Sequence, residues 1–191
     1  MKKILLSTVT VLLLGGSTLS AEDFQVRLGM STTSGTYTVE DAAGNTSQDI
    51  DLNNGSGFEV SLVSGVDKKE GFDFRSALTL QSNDIQLGTG YNTSDIMLLG
   101  EFEFAYNINE YISPFIGFYG GIGSTDVPDA DESGLLTYDL GLLIGVSGAI
   151  YKDFGYYAKY TVGTKGYNVE NDTIGIRQNP SSMKLGVSYT F

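Results

Sequence analysis

The sequence predicts an all-β protein: an eight-stranded antiparallel up-and-down barrel. Apolar residues alternate with small or polar ones in eight separate stretches, and a period of two is typical of β-strands with two different faces. Glycine is abundant (25) and proline scarce (3), while tyrosine (12) and phenylalanine (10) are frequent, which favours strands over helices. Short and long connections alternate along the chain, as in an up-and-down meander with short turns at one end of the barrel and long loops at the other.

Residues 1–21 precede the predicted barrel and indicate a secretory signal peptide. Two lysines are followed by an apolar stretch, Ile4 to Leu14, and then by small residues up to a predicted cleavage site after Ala21. The apolar stretch is shorter than the roughly 20 residues of a membrane-spanning helix. We therefore expect the mature domain to be residues 22–191.

The charge of this mature domain excludes some functions. It contains nine basic and 23 acidic residues, a net charge of −14, and such a polyanion repels nucleic acid, so no nucleic-acid partner is expected. Cysteine is absent, which excludes a disulfide-stabilised scaffold.

The eight strands are recognised in chain order by the apolar residues on one face of each. The first runs from Phe24 to Ser31 and the eighth from Met183 to Phe191. The residues that mark the strands between them are Phe58, Val60 and Leu62; Phe72, Phe74, Leu78 and Leu80; Ile96, Leu98, Phe102, Phe104 and Tyr106; Ile112, Ile116, Phe118 and Ile122; Leu136, Tyr138, Leu140, Leu142, Ile144, Val146 and Ile150; and Phe154, Tyr156, Ala158, Tyr160 and Val162.

The connections predict that the two ends of the barrel differ. Residues 66–71, 107–110 and 151–153 form short turns. The other connections are long: Thr32–Gly57, Gln81–Ser94, Gly123–Gly134 and Thr164–Ser182. In the first of these connections the residues alternate in character on both sides of Gly44-Asn45, which is a turn signal. This leaves open whether strands one and two continue as a projecting hairpin.

The second face of the predicted strands distinguishes a membrane barrel from a soluble one. It carries five acids and five bases, whereas the apolar face carries no charge. Equal numbers suggest that these charges pair in a confined interior, because an unpaired buried charge is costly. The apolar face would then meet lipid, the inverse of a soluble barrel. The predicted interior charges are Arg27, Glu59, Asp73, Arg75, Glu101, Glu103, Asp139, Lys159, Lys165 and Lys184.

Size and aromatic content agree with a small transmembrane barrel. Sixteen strands would consume roughly 160 residues and leave almost none for loops, so a wide porin is excluded. Interior glycines leave room for bulky residues such as Phe115 and Tyr157. Aromatic residues gather near the short-turn end, where a membrane interface would favour them.

The eight-strand plan closing on "LGVSYTF" resembles the small outer-membrane barrel family that includes the OmpA transmembrane domain, OmpX and the opacity-type surface proteins. "YNINEYISPFIGFYGGIG" is similar to a hairpin of such barrels. The resemblance implies residence in the outer membrane of a Gram-negative bacterium. It also implies that Tyr189 and Phe191 form a terminal signal for the barrel-assembly machinery and periplasmic chaperones. Lipid and lipopolysaccharide would be partners, beside an unidentified surface ligand. No peptidoglycan-binding domain is expected after the barrel, and tryptophan is absent, and both features depart from the pattern.

The sequence gives little support for catalysis. The resemblance implies that enzymes with this fold, which include lipid A acyltransferases, deacylases and surface proteases, rely on a catalytic histidine. This chain has neither histidine nor cysteine. Glu101 and Glu103 are interpreted as ion-pair partners rather than as an acid–base pair. The loop 124–134 contains weak candidate ligands for a divalent cation, although a solvated acidic loop is the preferred interpretation, and no cofactor is predicted. These candidates are Asp126, Asp129, Asp131 and Glu132.

Three functions remain open on sequence grounds. The first is an integral outer-membrane protein with a structural or surface-interaction role, long acidic external loops and a salt-bridged, plugged interior. The second is a narrow porin-like channel in which the interior ion pairs gate small solutes. The third and weakest is a soluble secreted barrel of the lipocalin type.

Overall fold

The computed structural model describes residues 24–41, 46–66, 70–87, 91–126, 134–167 and 174–191. They form the strands β1 (Phe24–Asp41), β2 (Thr46–Ser64), β3 (Gly71–Leu87), β4 (Tyr91–Asn107), β5 (Ser113–Asp126), β6 (Leu135–Tyr151), β7 (Phe154–Tyr167) and β8 (Ile174–Thr190). In the part of the chain that the structure describes, no helix is long and apolar enough to cross a membrane. The predicted signal peptide, residues 1–21, lies outside the described residues.

All eight strands form one closed antiparallel barrel in sequence order, which confirms the predicted fold class. The closure joins β8 to β1, with Val26 opposite Tyr189 and Gly29 opposite Gly186. β8 ends at Thr190, one residue before the predicted end, and the backbone N–H of Phe191 donates to the carbonyl of Phe24 at 2.9 Å. In the middle of the barrel, where the structure describes all eight strands, closure pairs each strand on both sides and leaves no free sheet edge.

The strands extend well beyond the predicted limits at the long-loop end. β1 and β2 stay paired up to Glu40 opposite Thr46, so the projecting hairpin is present, although Gly44-Asn45 itself lies outside the described residues. β3 and β4 likewise continue to Leu87 opposite Tyr91. The alternative left open for β1 and β2 is thus the one observed, whereas the prediction of a loop over residues 81–94 was wrong. In both segments serine, threonine and aspartate replace apolar residues on the outer face, which removes the contrast between the faces.

The opposite end has the short turns that the sequence predicts. Between β4 and β5, Asn109 Oδ1 accepts hydrogen bonds from the backbone N–H groups of Tyr111 and Ile112 at 2.9 and 3.0 Å, an arrangement in which a side chain completes the turn. Between β6 and β7 only Lys152 and Asp153 intervene, and Lys152 adopts a left-handed φ of 52°. The turn between β2 and β3 is described except for residues 67–69.

The outer surface of the barrel is an apolar belt. Leu140 and Leu142 on β6 are 61% and 62% exposed, whereas the next residue, Leu143, is 2% exposed. Aromatic pairs lie at the turn end of the belt: the ring centroids of Phe72 and Tyr106 are 4.9 Å apart, as predicted from their bunching in sequence. On the outer face of the described strands, exposed charged side chains occur only near the loop end, at Asp51, Asp84, Asp126 and Arg177.

Candidate functional site

The barrel interior gathers the charged side chains. Strand alternation turns every second residue inward, and all ten predicted interior charges lie there, nine of them buried and Asp73 half-buried. The structure adds Asp95, which is also buried, so the described interior has six acids against five bases. The predicted equality of charge was therefore wrong by one carboxylate.

Arg75 organises the interior at the turn end. Its Nε donates to Asp73 Oδ2 at 2.7 Å, and Nη1 donates to Ser147 Oγ at 2.9 Å. Nη2 donates to Asn107 Oδ1 at 2.8 Å and to Ser113 Oγ at 2.9 Å. One guanidinium thus ties together β3, β4, β5 and β6, and the neutral oxygens compensate for its removal from water.

Arg27 lies in the next layer and pairs with Glu103 across the lumen. The two carboxylate oxygens accept from Nη1 and Nη2 at 2.6 and 3.1 Å, and Nε donates to Gln25 Oε1 at 2.8 Å. The guanidinium carbon lies 5.7 Å from the ring centroid of Phe115 and 5.4 Å from that of Tyr157, within the range of cation–π contacts.

Two lysines and two glutamates form a linked chain at the same depth. Lys159 donates to both oxygens of Glu101 at 2.9 and 2.8 Å and lies 3.3 Å from Glu59 Oε1. Lys184 donates to Glu59 Oε2 at 2.9 Å and to Gln81 Oε1 at 2.5 Å. Tyr157 completes the set by donating its hydroxyl to Glu59 Oε1 at 2.8 Å.

The third layer lies toward the loop end. Lys165 pairs with Asp95, which also accepts a hydrogen bond from Asn83 Nδ2 at 2.9 Å. Asp139 accepts a hydrogen bond from the Tyr119 hydroxyl at 3.2 Å. Sequence reasoning missed Asp95 because the fourth strand was predicted to begin at Ile96, although Asp95 has the same parity as Glu101 and Glu103 and so the same inward direction.

Apolar clusters separate and cap these polar layers, so the interior is not uniformly polar. One cluster lines the β4–β6 side of the lumen: Met97, Leu99, Ala105, Phe115, Tyr119 and Leu143. A second lies at the loop end: Tyr37, Leu52, Ile85 and Tyr167, with Ile50 and Leu135 packed against it. A tyrosine ring can pack in an apolar cluster while its hydroxyl bonds to a polar layer, as Tyr119 does.

Glycines make space for the bulky interior side chains, as predicted. A Cβ placed on Gly186 would come within 2.5 Å of the Tyr157 ring, and one on Gly29 would come within 2.0 Å of its hydroxyl. A Cβ on Gly145 would come within 2.4 Å of the Phe115 ring. The small residues therefore set where the two large rings can fit across the lumen.

Two cavities flank the central layers. A cavity of about 130 Å³ opens at the turn end and is bordered by Gln25, Arg75, Ser147 and Thr190 among others. A cavity of about 10 Å³ lies nearer the loop end, beside Asp139 and Lys165. The Arg27–Glu103 pair and the Lys159–Glu101 pair fill the lumen between the two ends.

The remaining candidate residues are not brought together. Glu101 and Glu103 bond to different cations, Lys159 and Arg27, as expected of ion-pair partners. Asp126 is exposed at the end of β5, while Asp129, Asp131 and Glu132 lie outside the described residues. Within the described ranges, no group of three or more His, Cys, Asp or Glu residues could hold a metal ion. Tyr189 and Phe191 pack edge to face at the turn end, with centroids 5.1 Å apart.

Comparison with known proteins identifies the fold. The chain matches no family model, and no curated protein is similar to it in sequence. Among solved structures, Neisserial surface protein A is 15% identical with a TM-score of 0.62, over 92% of this chain and 100% of that chain. OprG from Pseudomonas aeruginosa is 11% identical with a TM-score of 0.58, over 89% and 96%.

The outer membrane protease OmpT from Escherichia coli has a lower similarity, with 8% identity and a TM-score of 0.50, over 92% and 99% of the two chains. These similarities confirm the predicted resemblance at the level of the fold, which is that of small outer-membrane β-barrels. Because the neighbours include both a surface protein and a protease, the shared fold does not by itself assign an activity.

Proposed function

We propose that the protein is an integral β-barrel of the bacterial outer membrane with a structural or surface-interaction role. The observation that carries this proposal is the inversion of the two faces. The exterior between the turn end and the loop end is apolar, and the charged side chains of the strands are gathered inside. A soluble barrel would show the opposite arrangement, because exposing such a belt to water is unfavourable.

The fold neighbours support this location, since they are bacterial outer-membrane proteins. Lipid and lipopolysaccharide are then the partners of the belt, and the barrel-assembly machinery and periplasmic chaperones are the partners during insertion. The acidic connections at the loop end would meet the environment and any surface ligand.

A structural or surface role fits the closed interior. Arg27 and Glu103 are completely buried and meet across the lumen, and the apolar cluster of Tyr37, Leu52 and Tyr167 lies at the loop end. A solute would have to break charge-assisted hydrogen bonds in a water-poor interior in order to pass. The interactions of this protein are therefore assigned to its surface.

The same interior argues against catalysis. The chain lacks histidine and cysteine, so the common nucleophile and general-base pairs are not available. Glu101 and Glu103 are held by Lys159 and Arg27, and both carboxylates are buried away from any substrate. Their role is interpreted as structural.

Membrane fractionation tests the proposed location. We expect the protein to sediment with membranes, to require detergent for extraction, and to change mobility on a denaturing gel when it is boiled, because the closed barrel resists detergent until heated. Recovery in the soluble fraction without detergent would instead support the secreted lipocalin-type barrel.

A narrow channel is the second candidate, and the two cavities favour it. The cavity of about 130 Å³ reaches Arg75 from the turn end, and the cavity of about 10 Å³ lies on the other side of the charged layers. Rearrangement of the Lys159–Glu101 pair would join them.

Planar-bilayer recordings distinguish the channel from the plugged barrel. For a channel, the double variant Lys159→Gln/Glu101→Gln, which removes both charges and nearly keeps the volume, should conduct more than the wild-type protein. Absence of current in both proteins would reject the channel.

A further inference from the structure

The cavity of about 10 Å³ near the loop end, here called the outer chamber, has room for one particle the size of a water molecule. Its walls are mostly polar, and its most informative members are Asp139, Lys165, Lys184, Gln81, Thr161 and Ser182. The described interior around it has one more acid than base.

The surplus negative charge can be assigned to one residue. Every interior base has a carboxylate partner of its own, in the pairs Arg75–Asp73, Arg27–Glu103, Lys159–Glu101, Lys184–Glu59 and Lys165–Asp95. Asp139 has no ion pair among the described residues, is 6% exposed, and accepts one hydrogen bond, from Tyr119 at 3.2 Å.

The strand register shows why Asp139 has no ion pair within the described strands. Lys165 on β7 lies directly opposite Asp139 on β6, yet its ammonium group bonds to Asp95 on β4 instead. Asp95 has donors on both of its oxygens, because Asn83 donates to Oδ1 while Lys165 donates to Oδ2. Two carboxylates thus compete for one lysine, and Asp139 is the one left over.

We propose that the outer chamber binds one small monovalent cation at Asp139, either a proton on the carboxyl group or an alkali ion beside it. A buried carboxylate without an ion pair of its own is unfavourable, and one added positive charge removes the surplus. The groups that face Asp139 are Tyr119 from β5, Lys165 from β7, Lys184 from β8 and Asp95 from β4. Because two ammonium groups border the chamber, a divalent ion is disfavoured there. The inference concerns the interior and does not depend on the proposed function.

Carboxyl NMR of the folded protein tests the proposal. The protein is labelled with ¹³C-aspartate and folded in detergent micelles, and the Asp139 signal is identified by its loss in Asp139→Asn. One arm varies pH above about pH 5, where ordinary aspartates stay ionised. The other exchanges sodium chloride for choline chloride at constant pH.

We expect the Asp139 signal to shift in one arm. A shift with pH identifies the proton, and a shift with sodium identifies the alkali ion. No shift in either arm, with the Asp139 signal at the position of an ionised carboxylate, would overturn the proposal.

The variant Asp95→Asn tests the competition for Lys165. It frees the lysine to pair with Asp139 directly opposite, so the response of the Asp139 signal should disappear. The matched control Asp126→Asn changes an exposed carboxylate at the end of β5 and should leave the response intact. A response that persists in folded Asp95→Asn would contradict the inference, and the mobility shift on boiling verifies that each variant is folded.

Discussion

Arg27 and Glu103 form a two-pronged ion pair across the lumen between β1 and β4, with N–O distances of 2.6 and 3.1 Å and both side chains inaccessible to solvent. The two residues are 76 positions apart in sequence. Because β1 and β4 are not neighbours in the barrel, this pair links two strands that share no backbone hydrogen bonds.

Glu103→Gln should destabilise the barrel strongly. It leaves the buried Arg27 charge without its carboxylate, and removing one partner of a buried pair typically costs about 3–5 kcal/mol. Urea unfolding in micelles measures the loss. It can be followed by gel mobility or by tyrosine fluorescence, because the chain has no tryptophan. Glu110→Gln in the β4–β5 turn is the matched control and should have almost no effect. A loss for Glu103→Gln no larger than that of the control would contradict the assigned pairing.

The double variant Arg27→Met/Glu103→Leu should recover much of that loss. Replacing both members of a buried pair by apolar side chains is often neutral or stabilising. Gln25 then loses a hydrogen-bonding partner, which limits the recovery. A double variant less stable than Glu103→Gln alone would show that the pair contributes more than its own electrostatics.

Gly186→Ala should impair folding, whereas Gly100→Ala should be tolerated. A Cβ on Gly186 would lie 2.2 Å from the backbone oxygen of Leu28 and 2.5 Å from the Tyr157 ring. A Cβ on Gly100 would meet only one atom, the Gly120 oxygen at 3.8 Å. Overpacking of this kind costs about 1–3 kcal/mol. The yield of refolded, heat-modifiable protein compares the two variants, and equal yields would place Tyr157 elsewhere.

A charge in the middle of the apolar belt should cost more than the same charge near its edge. Leu142→Arg lies midway along the outer face of β6, where arginine at the centre of a bilayer costs about 2–4 kcal/mol. Thr32→Arg, on the outer face nearer the loop end, should cost about 0–1 kcal/mol. Unfolding in lipid vesicles gives both values, and similar values would argue against a lipid-facing belt.

The strand count, the order of the strands and the division into two faces could be predicted because alternation with period two is a local signal. The apolar side of β6 illustrates this, since it extends from Leu136 to Ile150 with Gly148 as its one small residue. The ends of the strands could not be predicted in the same way. Beyond Thr32 the outer residues are serine, threonine and aspartate, and two polar faces show no contrast.

The interior residues could be predicted as a set but not as pairs. Parity alone places Arg27 and Glu103 inside, whereas their contact depends on the stagger of strands around the barrel. Lys165 shows the limit clearly, because its neighbour in register is Asp139 and its partner in space is Asp95. Asp95 could have been predicted as an interior residue only if the start of β4 had been placed correctly.

The measurement that tests the central claim most directly is spin-label accessibility along β6. The chain has no cysteine, so single cysteines placed at positions 139, 140, 142, 143 and 144 would each carry one label. If the apolar face meets lipid, labels at Leu140, Leu142 and Ile144 will collide with lipid-soluble oxygen, and labels at Asp139 and Leu143 will not. The opposite phase, or equal access of a water-soluble quencher to Leu140, Leu142 and Ile144, would contradict the membrane-spanning barrel.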